Sequence, residues 1–148
     1  MLEGIGAQTV GGVLAVIIGG KITPLSCYVG LGTASGSGVN LELPVGSLGC
    51  EYDFDQLRVF FEHLSSPATG SDFPGFNHAG VKWLIIPAHI QPYIGFSVAQ
   101  NSQFNTMNNP LGIVGVETQG DVRFYVEHIM DFNDPGNGYT HGGIKFVF

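Results

Sequence analysis

Residues 57–64 read LRVFFEHL and residues 122–129 read VRFYVEHI, so an Arg, an aromatic, a Glu-His pair and a closing Leu or Ile recur sixty-five positions apart. A glutamate beside a histidine is the chemistry of a general base or of a metal ligand. Both pairs fall in aromatic and β-branched runs, and neighbouring side chains on a strand point to opposite faces. Leu57, Val59, Phe61 and His63 then share one face, matched by Val122, Phe124, Val126 and His128. Arg58, Phe60, Glu62 and Leu64 share the other, matched by Arg123, Tyr125, Glu127 and Ile129. This parity separates each Glu from its His and excludes the helical HExxH zinc geometry. The apolar faces are expected to line the core and the Arg/Glu faces to lie outside. Two arrangements fit: neighbouring antiparallel strands with ion pairs Arg58–Glu127 and Arg123–Glu62, or strands in opposing sheets with His63 and His128 at the core rim.

Two acidic clusters could hold a cation. In EYDFD, Glu51, Asp53 and Asp55 alternate and share a face if extended, so solvent, Ca²⁺ or a basic partner must answer their repulsion. In DFNDPGNG (131–138), Asp131, Asn133, Asp134 and Asn137 place four oxygen-bearing side chains within eight residues. These four are the expected ligands of a calcium ion, although Pro135 and the missing closing Glu depart from an EF-hand; the structural alternative is an Asx-stabilised turn. No GxSxG elbow, P-loop or dinucleotide fingerprint is present. An enzyme would need His63, His89, His128 or His141 to converge on a metal, and the chain is expected to be non-enzymatic and without a resident cofactor apart from that calcium. Trp83 is expected to pack in the core.

The elements that position these residues read as strands. Short β-rich runs at 12–18, 25–32, 39–43, 56–64, 80–86, 93–100, 111–117, 121–130 and 143–148 alternate with clusters of Gly, Pro, Asn, Asp and Ser. The expectation is one all-β domain over 1–148, a single β-sandwich of eight or nine short antiparallel strands with jelly-roll or related Greek-key topology. Residues 1–20 would form an apolar N-terminal arm or strand. Their run of apolar residues lacks a basic flank, is broken by glycines and is short, so neither a signal peptide nor a membrane span is expected.

Of 148 residues only 11% are charged, 44% are apolar and 23 are Gly, so much of the surface must be neutral. The net charge is −7, and Lys21, Arg58, Lys82, Arg123 and Lys145 are scattered singly, which excludes direct nucleic-acid binding. Cys27 and Cys50 are the only cysteines and have no zinc or redox spacing; they could pair or remain half-buried thiols.

LRVFFEHLSSPATGSDF (57–73), followed in order by QGDVRFYVEHI (119–129) and GGIKFVF (142–148), resembles small β-sandwich virion proteins of tailed phages. The resemblance implies a capsid, decoration or fibre-associated subunit that self-associates and contacts other shell proteins, located in the virion. FNDPGNGYTHGGIKFVF (132–148) is similar to the last loop and strand of calcium-dependent sugar-binding β-sandwiches, with Thr140 and His141 in place of the expected Asp-Asn or Asn-Asn pair. This second resemblance implies an extracellular glycan-binding module.

Overall fold

The computed structural model describes residues 25–36, 44–66, 76–86, 88–100, 110–136 and 138–148. The expected strands at 12–18 and 39–43 and the arm 1–20 lie outside the described residues. Eight strands follow one another: β1 (Leu25–Gly36), β2 (Pro44–Phe54), β3 (Leu57–Ser65), β4 (Phe76–Leu84), β5 (Ile90–Gln100), β6 (Pro110–Thr118), β7 (Val122–Asp131) and β8 (Gly138–Val147). Each pairs antiparallel with its successor, and β8 returns to β1 with Val29 opposite Phe146, so one sheet closes on itself.

This closed eight-stranded barrel corrects the expected jelly-roll sandwich. Sandwich and barrel share short alternating strands and turn-rich separators, and differ in which strands pair. Here no strand skips a neighbour, and closure leaves none of the eight as an edge. β3 pairs with β2 and β4, and β7 with β6 and β8, so Phe60 does not face Tyr125 and the expected crossed pairs Arg58–Glu127 and Arg123–Glu62 do not form.

The connections differ at the two ends. Asp55 and Gln56 join β2 to β3, with Asp55 at φ 57°. Residues 119–121 join β6 to β7, with Gly120 at φ 111°, where glycine has no Cβ penalty. Residues 85–89 join β4 to β5 at that same end, and the longer connections all leave from the other.

Register explains part of the high glycine content. Tyr28 lies opposite Gly49, and Tyr93 opposite Gly115. A Cβ on Gly49 would stand 2.6 Å from the Tyr28 Cζ, and one on Gly115 2.5 Å from that of Tyr93, so each ring lies across bare backbone. Cys27 and Cys50 are direct partners between β1 and β2 and form a disulfide.

Candidate functional site

Strand parity holds in the structure, but its expected sidedness is reversed. Arg58, Phe60, Glu62 and Leu64 point into the barrel and are buried; Leu57, Val59 and Phe61 point out and are exposed. On β7, Tyr125, Glu127 and Ile129 are likewise buried while Val122, Phe124 and Val126 are exposed. His63 and His128 lie on the outer wall rather than at a core rim. Trp83, expected in the core, is 56% exposed.

The barrel's middle is ionic. Glu62 accepts a hydrogen bond from the Tyr28 hydroxyl at 2.7 Å and one from His78 Nε2 at 3.2 Å, with Lys145 Nζ at 3.4 Å. Glu127 is held by the Tyr93 hydroxyl at 2.8 Å, His141 Nε2 at 3.0 Å and Lys82 Nζ at 2.5 Å. His78 Nδ1 lies 3.2 Å from Ser97 Oγ. Each ammonium also sits between two rings: Lys82 is 4.6 Å from the Phe60 centroid and 4.7 Å from that of Tyr93, and Lys145 is 4.5 Å from Tyr28 and 4.4 Å from Tyr125.

A second cluster lies nearer the short turns. Arg58 grips Asp53 at 2.6 and 2.9 Å, pairs with Glu117 and reaches Glu51 at 3.4 Å. Arg123 pairs with Glu51 at 2.5 Å and Glu117 at 3.3 Å, and donates to the Gly120 carbonyl at 3.1 Å. Of the three possible answers to the EYDFD repulsion, the structure therefore uses basic partners for Glu51 and Asp53, while Asp55 stands exposed in the turn. Towards the longer connections the interior becomes apolar, with Ala34, Val45, Leu64, Leu111 and Ile129 buried together.

The arrangement is repeated. Tyr28, Gly49, Glu51, Arg58, Glu62, His78 and Lys82 correspond in strand and position to Tyr93, Gly115, Glu117, Arg123, Glu127, His141 and Lys145. Thus β1–β4 and β5–β8 are two versions of one unit, related by rotation about the barrel axis. Each Glu takes Tyr and His from its own unit and Lys from the other. Each Arg likewise crosses to the other unit's Glu, a self-complementary interface of the kind that relates two copies of one subunit. The opening echo was one quarter of this repeat. Its remainder is masked in the sequence because the offset, 65 in β1, β3 and their counterparts, changes to 66 in β2 and 63 in β4.

The candidate calcium ligands lie at the end of β7 and in the connection that follows it. Asp131 is buried in the wall and accepts from the Asn133 amide at 2.8 Å, an Asx turn; Asn133 and Asp134 are exposed, and Asn137 lies outside the described residues. His89 is exposed in the β4–β5 connection. Glu62, Glu127 and His141 bring ligand atoms within 4.8 Å of one another, but Lys82 and Lys145 already neutralise the two carboxylates. Ion pairing accounts for the cluster.

The outer wall is apolar around the whole circumference. Leu31, Leu48, Phe61, Trp83, Ile94, Val114, Phe124 and Phe146, one on each strand in turn, range in exposure from 45% at Val114 to 60% at Leu31. All four Lys and Arg among the described residues have inward side chains. The Cys27–Cys50 disulfide lies on the outer face, as alternation with the inward Tyr28 and Glu51 requires. No family model, curated protein or solved structure matches this chain.

Proposed function

We propose that this chain is an integral membrane β-barrel with a filled, non-conducting interior, a non-enzymatic scaffold that carries its longer connections on one side of a bilayer. One observation carries the reading: the usual partition of side chains is inverted, with cations and carboxylates inside and large apolar side chains outside on all eight strands. A water-soluble barrel that carries an apolar ligand needs the opposite arrangement. Shell-forming neighbours, the partners expected from the virion resemblance, cover patches of a surface, whereas lipid covers a complete circumference.

The dimensions agree. Strands of 9 to 12 residues overlap the roughly 9–11 residues of a tilted membrane-spanning strand. Closure leaves none of the eight strands with an unpaired edge, which a hydrocarbon environment demands. Short turns at one end and longer connections at the other repeat the asymmetry of such barrels. Among the described residues no helix is long and apolar enough to cross a membrane, a criterion that does not apply to strands.

At about 1 kcal/mol for each half-exposed apolar side chain, moving this wall from water into lipid supplies on the order of 20 kcal/mol. The disulfide supports an oxidising compartment for the folded chain.

Trp83, the only tryptophan, reports directly on the proposal. Refolded from urea into phosphatidylcholine vesicles, the protein should show blue-shifted emission that brominated acyl chains quench and aqueous iodide does not. A detergent-free monodisperse monomer whose Trp83 is quenched by iodide would refute it.

A further inference from the structure

Resting on the membrane reading, we infer that the outer wall fits an unusually thin bilayer, and that His63, Asn77, His128 and Thr140 mark the headgroup level on the side of the longer connections. On β3 the outward residues Leu57, Val59 and Phe61 give way to His63; on β7 Val122, Phe124 and Val126 give way to His128. Each imidazole is tied to the next strand: His63 Nδ1–H donates to Asn77 Oδ1 at 2.7 Å, and His128 Nδ1 lies 2.9 Å from Thr140 Oγ1. The second ring nitrogen is left for water or phosphate. That of His128 lies over Gly138, where a Cβ would stand 3.3 Å away.

The two pairs occupy equivalent places in the repeat, so they share one height on opposite sides of the barrel. Thr33 on β1 continues the polar girdle, and its counterpart Val98 on β5 interrupts it. At the other end β3 and β7 begin at the polar turn residues Gln56 and Asp121, with the exposed Phe54, Ile85, Ile86, Ile90 and Phe148 at the same rim. His63 follows Gln56 by seven positions, and His128 follows Asp121 by seven. At about 3.3 Å per residue and a strand tilt near 45°, the apolar wall is about 16 Å tall, against about 25 Å for the usual band. A bilayer of ordinary thickness would draw four polar side chains into hydrocarbon or thin around the protein.

The test is the urea midpoint of the full chain in phosphatidylcholine vesicles of increasing acyl length, compared with a variant carrying His63→Leu, Asn77→Val, His128→Leu and Thr140→Val. The wild type should be most stable in ten- or twelve-carbon lipids and fall steadily in longer ones. The variant, apolar for one more outward row, should move its optimum up by about two carbons per chain. Identical optima with both proteins inserted would overturn the girdle and leave the membrane reading intact. Failure of the wild type to insert at any chain length would overturn both. Should the variant not fold, His128→Cys bearing a nitroxide decides: a label at phosphate depth supports the inference, and one deep in the acyl region overturns it.

Discussion

Lys82→Met is the sharpest perturbation of the interior. Lys82 Nζ lies 2.5 Å from Glu127 Oε2, and both side chains are almost wholly buried. At an effective dielectric constant near 20, two unit charges at that distance attract by roughly 7 kcal/mol before desolvation is subtracted. Removing the ammonium leaves Glu127 with the Tyr93 and His141 hydrogen bonds and with the Glu62 carboxylate nearby. A loss of about 3–5 kcal/mol is therefore expected, the usual consequence of orphaning a buried charge. Adding Glu127→Gln removes the orphan, so the double variant should recover stability relative to the sum of the singles, with a coupling of about 2–3 kcal/mol. The same cycle on Lys145 and Glu62, 3.4 Å apart, should give the same sign and a smaller coupling. Urea unfolding of vesicle-inserted protein, followed by Trp83 emission, measures all of these. Strict additivity in both cycles, or a Lys82→Met loss below about 1 kcal/mol, would show that these contacts do not hold the barrel together.

Depth should govern the tolerance of the outer wall. Ile94→Lys should cost about 2–4 kcal/mol and Thr140→Lys no more than about 1 kcal/mol in vesicle unfolding. Gly49→Ala should push the Tyr28 ring away from Glu62 and lower stability by about 2–3 kcal/mol, an effect that Tyr28→Phe alone should not reproduce in full. Gly120→Ala, at φ 111°, should cost about 1 kcal/mol in the same assay. Cys27→Ser with Cys50→Ser, a sequence separation of 23, should lose roughly 3 kcal/mol while leaving insertion intact, read by Trp83 quenching.

Alternation was legible in the sequence; sidedness was not. A strand that places Leu, Val and Phe on one face and Arg, Phe and Glu on the other has the same pattern whether the apolar face meets a core or lipid. The distinguishing signal was collective: on strand after strand the charged residues shared a face with Gly and Tyr, as Glu62, Lys82, Gly115 and Tyr28 do. A surface would not need glycine there, whereas a narrow interior crossed by tyrosine rings does. The same glycines disguised strands. β2 (Pro44–Phe54), whose run is broken by Gly46 and Gly49, falls between the expected strands 39–43 and 56–64, and β8 (Gly138–Val147) is expected only from 143. Spacing alone makes Asp131, Asn133 and Asp134 possible ligands, and spacing cannot show that Asp131 turns into the wall while the other two remain exposed.

Because each lysine crosses to the other unit's carboxylate, four strands on their own would have both a wet apolar back and an unneutralised acidic front. Neither unit has a reason to persist without its counterpart. Closure and charge neutralisation should arrive in one step, so unfolding followed at Trp83 and at the far side of the barrel should trace a single superimposable transition, with no half-formed sheet accumulating between.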